Sequence, residues 1–268
     1  MSIATNYFEN LVLGPLRGVP ATAPSTVYAG LFLTNPGEAG GGTEVSGGSY
    51  ARTAVTFGAP AESSAGVQTI TNNASVTFPT ASSPWGTITY IGIMDASSGG
   101  NMLCYIQLDT PKVGTEGATI SFVSGELRIN ASAQFTTYYK QAALNLFRGV
   151  SISAMSTYIS LHTADPGESG SMANEVVATP YARQAVAWTT PAEQGNGNMT
   201  MTNTADVAFP RVGTVAWGAI PYMGICNAAT GGNMLLRMAA TDTSGNTITF
   251  GDGDRFIAAA NSVTIFAA

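Results

Sequence analysis

The sequence predicts an all-β protein made of two tandem antiparallel β-sandwich domains, jelly-roll-like in pattern, each with a short N-terminal helix. Three observations predict this fold class. The 268-residue chain repeats itself at an offset of about 130 residues, each copy holds about seven or eight short strand-like runs, and glycine-rich turns separate these runs. The strand-helix alternation typical of a parallel nucleotide-binding sheet does not occur, so that fold is not expected.

The duplication is read from matched motifs whose offset drifts from 130 to 132 along most of the chain. We place the boundary after residue 134, which gives repeat 1 (1–134) and repeat 2 (135–268). Copies of this length can bury about two-thirds of their unfolded surface, so each is expected to fold as a domain. The matched motifs include Tyr50-Ala51-Arg52 with Tyr181-Ala182-Arg183, Phe78-Pro79 with Phe209-Pro210, Trp85-Gly86 with Trp217-Gly218, and Thr119-Ile120-Ser121-Phe122 with Thr247-Ile248-Thr249-Phe250.

A helical signal opens each copy. Asn6 is a suitable N-cap, Phe8 and Val12 share a helix face, and Gly14-Pro15 predicts the helix end. In repeat 2 the same apolar spacing runs from Tyr139 to Phe147 and ends at a glycine. We therefore expect two short helices that lie against a sheet.

Strand-like runs follow each helix. The run from Tyr50 to Phe57 alternates with the period of two expected for a strand with one buried face. Trp85 and Trp217 open later apolar runs and are expected in the core. The predicted strands of repeat 1 are 27–33, 50–57, 75–78, 88–94, 102–108, 119–122 and 126–129.

Composition excludes several function classes. Only 10% of the residues are charged and the net charge is -6, which opposes binding to a phosphate backbone, so no nucleic-acid partner is expected. No apolar run approaches the roughly 18 residues of a membrane helix and no leader is recognisable, so we expect synthesis in the cytoplasm and no membrane partner. Few charges and a mean hydropathy of +0.16 indicate apolar surface of the kind that forms interfaces.

Histidine and cysteine give no catalytic or metal site. His162, the only histidine, aligns with Phe32, which indicates a packing position rather than a catalytic one. Cys104 and Cys226 each align with an apolar residue of the other copy, so we expect two buried free thiols. A structural zinc site needs about four Cys or His ligands in close pairing, and that pairing is missing.

The carboxylates give no paired acid and base. Asp252-Gly253-Asp254 lacks the spacing of a calcium loop and is interpreted as a turn. Glu38 and Glu44 recur in repeat 2 beside glycine-rich loops and are interpreted as solvated turn residues. We therefore predict no catalytic residue, no metal site and no cofactor.

The candidate functional residues are Tyr50, Arg52, Tyr181 and Arg183. Residues two apart on a strand share a face, so each Tyr and Arg lie together. One hypothesis is a ring and cation that anchor the neighbouring loop; the other is an interface contact to a partner chain. Both hypotheses stay open at this point.

A family resemblance rests on the runs 44–52 and 85–96 and on Gly99-Gly100-Asn101. The chain resembles structural proteins of tailed-bacteriophage virions, of the tail-fibre-like, minor structural and capsid-decoration types. The resemblance implies a non-enzymatic protein located in the virion and assembled in the host cytoplasm. It implies other virion proteins as partners, either the major capsid protein or tail proteins, in an oligomer or on a lattice.

Three functions follow, in order of preference. A capsid decoration or cement protein is favoured because the sequence lacks stalk repeats and coiled-coil heptads. The alternative is a tail or tail-fibre component that binds a host receptor or glycan, which predicts aromatic side chains in an open groove. A hydrolase needs an acid and a base in one cleft and is the least favoured.

Overall fold

Two β-rich repeats with one short helix each make up the computed structural model, which describes residues 2–132, 134–195, 197–242 and 244–267. The predicted all-β tandem fold is confirmed. Ala133, inside the predicted boundary segment, lies outside the described residues, so the division after residue 134 stays a prediction.

The elements of repeat 1 begin with a strand that the sequence did not reveal, ahead of the helix. In chain order they are β1 (Ser2–Ala4), α1 (Asn6–Leu13), β2 (Val27–Phe32), β3 (Thr53–Val55), β4 (Ala61–Ser64), β5 (Val67–Thr71), β6 (Val76–Thr80), β7 (Gly86–Met94), β8 (Met102–Gly114), β9 (Thr119–Phe122) and β10 (Arg128–Ala131). The strands form a five-stranded sheet β1-β8-β7-β2-β3, a three-stranded sheet β10-β5-β4 and the ribbon β6-β9.

Repeat 2 has the same plan with shorter strands. Its elements are α2 (Thr137–Asn145), β11 (Thr157–His162), β12 (Gln184–Val186), β13 (Ala192–Glu193), β14 (Met199–Thr202), β15 (Val207–Ala208), β16 (Gly218–Ile220), β17 (Tyr222–Cys226), β18 (Met234–Ala239), β19 (Ile248–Phe250), β20 (Ile257–Ala258) and β21 (Thr264–Ala267). The sheets are β12-β11-β17-β18 and β13-β14-β21, with the ribbons β15-β20 and β16-β19. Strand pairing in both repeats is antiparallel.

The N-cap of α1 is Thr5, so the prediction of Asn6 was wrong by one residue. The Thr5 hydroxyl accepts from the Phe8 amide and also donates to the Met102 carbonyl in β8, which joins the helix start to the sheet. After Leu13 the chain continues as one 3₁₀ turn and leaves it through Gly18 at φ 82°. A side chain there would be strained, which explains why the glycine recurs after α2.

The predicted strand 50–57 is much shorter than expected, since only Thr53–Val55 pairs as a strand. The Tyr50 and Arg52 side chains instead turn inward to a glutamate described below, and Ser49 takes φ 63°. Strand β4 escaped prediction because its four residues are all exposed and show no apolar alternation.

The alignment of Thr119–Phe122 with residues 247–250 was wrong. Strand β9 pairs with β6, whereas β19 pairs with β16, the counterpart of the beginning of β7. In repeat 1 the beginning of β7 pairs with the end of β8, where Gly86 opposes Gly114. In repeat 2 the residue equivalent to Gly86 is Gly218, and it opposes Phe250 in β19. The offset is therefore 250 − 114 = 136 here, against 217 − 85 = 132 at the tryptophans. Repeat 2 has four extra residues in the turn before β19, and β20 is the counterpart of β9.

The two repeats share one continuous hydrophobic core. Helix α1 packs on β8 of its own repeat and on β14 and β21 of repeat 2, while α2 packs on β18 and on β5 and β10 of repeat 1. The equivalent residues Ala21 and Ile152 pair with each other, each amide donating to the other's carbonyl at 2.9 Å. This reciprocity is the geometry of a two-fold contact, so the repeats are related like the subunits of an isologous dimer.

Candidate functional site

In repeat 1 the two candidate residues meet on one carboxylate, Glu44. The Tyr50 hydroxyl donates to Glu44 Oε1 at 2.8 Å, and Arg52 donates to both carboxylate oxygens, also at 2.8 Å. The pair is bidentate and only 9% of the Arg52 side chain is exposed. A Cβ at Gly30 would lie 2.9 Å from Glu44 Oε1, so the absence of a side chain at Gly30 makes room for the carboxylate. We call Glu44, Tyr50 and Arg52 the first clamp.

The first clamp binds two distant parts of the backbone. Tyr50 accepts from the Leu31 amide at 2.9 Å, and Arg52 Nη1 donates to the carbonyls of Ala96 and Gly99 at 2.9 and 2.6 Å. The second pair of bonds fixes the exposed glycine-rich loop between β7 and β8. The contacts of both side chains are therefore internal.

Repeat 2 builds a second clamp from Glu175, Tyr181 and Arg183. The Tyr181 hydroxyl donates to Glu175 at 2.9 Å, and Arg183 donates to both carboxylate oxygens at 2.7 Å. Arg183 also donates to the carbonyls of Ala228 and Gly231, in the loop between β17 and β18. The two clamps match donor for donor, apart from an added contact from Arg183 to a methionine sulfur.

The aromatic rings beside the clamps are buried. Trp85 meets the Tyr50 ring edge-on at 5.6 Å, and Trp217 meets Tyr181 in the same way at 5.6 Å. Both tryptophans are 4% exposed, which confirms that they lie in the core. They form no open groove of the kind that the glycan-binding alternative predicts.

Burial and hydrogen bonding shift the pKa values of the two clamp tyrosines and of Glu175. Burial raises the pKa of Tyr50 and of Tyr181, so both phenols stay protonated as donors. Burial opposes ionisation of Glu175, but the hydrogen bonds from Arg183 and Tyr181 outweigh it and lower the pKa of this carboxyl. A carboxylate held ionised by two donors is a structural acceptor, not a general acid.

Glu44 and Glu175 were interpreted as solvated turn residues, and that interpretation was wrong. Their side chains are 25% and 14% exposed and lie at the centres of the clamps. The signal was available in the sequence, because a glutamate precedes the tyrosine by six residues and the arginine by eight in both copies.

His162 lies in a buried polar cluster found only in repeat 2. Its Nε2 is 2.8 Å from Ser160 Oγ, which is 3.3 Å from Cys226 Sγ, and His162 is fully buried. Burial lowers the pKa of His162 to about 4 and raises that of the Cys226 thiol. A neutral imidazole beside a protonated, inaccessible thiol activates no nucleophile. The thiols are free and buried, as predicted.

The remaining acids do not converge on a metal site. Within the described ranges no three His, Cys, Asp or Glu residues are grouped so as to hold a metal ion. Asp254 accepts from the Gly251 amide at 2.8 Å and closes a turn, as predicted for this segment. No helix in the described part of the chain is long and apolar enough to cross a membrane.

Fold and site together define a class: a duplicated, charge-poor all-β protein whose recurring Glu, Tyr and Arg side chains bind one another and the protein's own backbone. The family model described as podophage GP4 fiber I protein gp80 matches residues 3–130 and, a second time, residues 134–265. The chain belongs to that family. No curated protein matches the sequence.

Family membership confirms the resemblance to tailed-phage virion proteins. It assigns the chain to the structural proteins of the virion, and its two matched segments follow the tandem repeats. The family does not by itself separate a capsid-decoration protein from a fibre protein, and it is at least as consistent with the fibre.

Proposed function

We propose that the protein is a non-enzymatic component of a phage tail fibre that attaches to other virion proteins. The observation that supports this position is the family description, which names a fibre protein and applies to both repeats. The sequence favoured capsid decoration, with a tail or tail-fibre component that binds a host receptor or glycan as the alternative; we now prefer the tail-fibre position of that alternative, without its receptor or glycan binding. Attachment through proteins fits a chain with few charges and, at net -6, no attraction to phosphate.

We further propose that Tyr50, Arg52, Tyr181 and Arg183 anchor loops rather than contact a partner. All four point to internal acceptors, and each arginine donates to a loop whose central residues, 97–100 and 229–232, are exposed. A clamped loop pays less ordering entropy when it meets a partner, so the clamps would strengthen attachment without touching the partner themselves.

A non-enzymatic role is supported by the environment of the titratable groups. The single histidine is buried and neutral, and the clamp carboxylates are neutralised by arginine. Turnover of host-envelope polysaccharide or peptidoglycan by the purified chain would contradict this part of the proposal.

Imaging of intact phage with an antibody raised against the purified chain tests the position. We expect label along the tail, and none on particles that lack the gene. Label distributed over the head shell would overturn the fibre proposal. In that case, particles lacking the gene should also lose resistance to heat and osmotic shock, as a cement protein requires.

A further inference from the structure

A cavity of about 580 Å³ lies between α1 and α2, where the two repeats meet. Its wall is mainly apolar and draws on both repeats, with Phe8, Ile129, Leu144 and Phe147 among the lining side chains. The volume falls in the range of sites that bind small molecules. The cavity opens to solvent, since the exposed side chains of Ile3 and Phe266 also line it, and a concave, mainly apolar space with a few polar groups is a candidate binding site.

The cavity has an identifiable origin in the divergence of the repeats. Ala4, which lines it, pairs with Cys104 in the same way that Phe135 pairs with Leu236. Ala4 is thus the counterpart of Phe135, at an offset of 131, and Cys104 is the counterpart of the larger Leu236. Repeat 1 has the smaller side chain at both positions, and Ala4, Cys104 and Phe135 all line this one cavity, which the small side chains of repeat 1 leave wider.

The polar part of the wall includes two carboxylates that form no salt bridge within the described part of the chain. Glu9 and Glu38 both line the cavity, and Glu9 is only 2% exposed. Glu9 accepts from the Met199 amide at 2.7 Å, and neither carboxylate forms a salt bridge with a basic side chain of the described residues.

Lys140, the counterpart of Glu9, also lines the cavity but its charge is already balanced. Its Nζ lies 2.6 Å from Glu168 Oε2 and donates to the Gly66 carbonyl at 2.6 Å. Arg237 forms a second salt bridge to Glu168. The unbalanced charge of the cavity is therefore that of Glu9 and Glu38.

The buried carboxyl of Glu9 has no salt-bridge partner among the described residues. Burial raises its pKa to about 7, with smaller contributions from the charges of Glu38 and Glu193 and an opposing one from the Met199 amide. A bound cation would stabilise the ionised form and relieve this cost.

We propose that the cavity binds a small amphipathic amine, with its ammonium group paired to Glu9 and Glu38 and its apolar body beside Ala4. The carboxylates disfavour an organic anion, and a neutral molecule of the same shape lacks the ion pair. This inference does not depend on where the protein sits in the virion.

Calorimetric titration of the full-length chain at pH 8 with hexylamine, 1-hexanol and hexanoate tests the proposal. A charge-assisted pair should make hexylamine bind at least about tenfold more tightly than hexanol, with hexanoate the weakest. Glu9→Gln should reduce the preference for hexylamine over hexanol to about twofold or less. Equal affinity of the wild-type chain for amine and alcohol, or no binding of any probe at millimolar concentration, would overturn the proposal.

Ala4→Phe is the matched steric variant, because it places at this position the side chain that repeat 2 already carries. It should abolish binding of hexylamine and hexanol together, without a change of charge. Far-UV circular dichroism checks that the variant folds, and should it not fold, Glu9→Gln and Glu38→Gln decide the outcome. A folded Ala4→Phe chain that binds hexylamine as the wild type does would place the amine elsewhere and refute the assignment.

Discussion

The wild-type protein should lose stability at acid pH because of His162, and replacement of His162 by glutamine should remove this loss. His162 is fully buried, and its Nε2 hydrogen-bonds with Ser160. Its Nδ1 has no hydrogen-bond partner among the described residues. Glu175 and Arg183, the charged groups that act on the ring, oppose each other, so burial dominates and lowers its pKa from 6.5 to about 4. Glutamine is neutral at every pH and can keep one hydrogen bond to Ser160.

The sign and the size of this change in the free energy of unfolding follow from the numbers of protons that the folded and unfolded states bind. As the pH falls from 6.5 to 4, the unfolded chain takes up a proton at this position and the folded chain does not, so the unfolded state gains stability. At about 1.4 kcal/mol per pH unit, the difference between 6.5 and about 4 corresponds to about 3 kcal/mol. The full contribution of neutral His162 to the free energy of unfolding is present above pH 6.5 and is lost as the pH falls to about 4.

Urea unfolding of the wild type and of His162→Gln at intervals from pH 4 to 7.5 measures the effect. Between pH 7.5 and pH 4, the free energy of unfolding of the wild type should fall by about 3 kcal/mol more than that of His162→Gln. A second variant, Ser160→Gly with His162→Phe, reproduces residues Gly30 and Phe32 of repeat 1 and should show the same shift. Wild-type and variant curves that stay parallel over the range would refute the argument.

Three further predictions concern the repeat contact and the clamps. Since the pKa of Glu9 is raised from 4.5 to about 7, its contribution to stability should fall by about 3 kcal/mol as the pH rises through this window, opposite in sign to that of His162. The wild type should therefore lose about 3 kcal/mol relative to Glu9→Gln between pH 4.5 and pH 7 in the same unfolding series; a constant difference between the two chains would contradict the argument. Arg52→Met leaves the partly buried Glu44 carboxylate with only the Tyr50 hydrogen bond and should cost about 2 kcal/mol. Lys112→Met, which breaks the more exposed pair with Glu126, should cost under about 1 kcal/mol; equal losses would contradict a structural clamp. Residues 1–134 and 135–268, expressed apart, should each show weak amide protection and regain it when mixed; full protection of either one alone would contradict a shared core.

The sequence predicted the fold class because duplication makes weak strand signals repeat. It failed where strands lack apolar alternation, as in exposed β4, and where a side chain turns inward, as at Tyr50. It also misaligned β9 with β19, because Thr-Ile-Ser-Phe and Thr-Ile-Thr-Phe are similar strings in different positions of the sheet. Two strands of similar sequence can be told apart only by the strands with which they pair, and this pairing depends on residues far away in the sequence.

The sequence predicted the tyrosine and the arginine of each clamp but not the glutamate. Tyr50 and Arg52 stood out because their spacing recurs, but the carboxylate that joins them lies on the preceding loop, so a strand-face argument could not find it. No sequence pattern indicated that Glu9 is buried. Its burial depends on the Met199 backbone of the other repeat, 190 residues away along the chain.

The contact between the repeats argues that the tandem is one folding unit rather than two domains in series. Each helix is covered on one side by its own sheet and on the other by the sheet of the other repeat. The reciprocal pairing of Ala21 with Ile152 would suit two identical copies, yet the equivalent residues Glu9 and Lys140 have opposite charges. Two copies of repeat 1 would bury this glutamate twice, whereas the tandem buries it once and balances Lys140 with a carboxylate of its own repeat. The repeats have therefore diverged as partners of each other, and this divergence favours the pairing within the chain over self-association of either half.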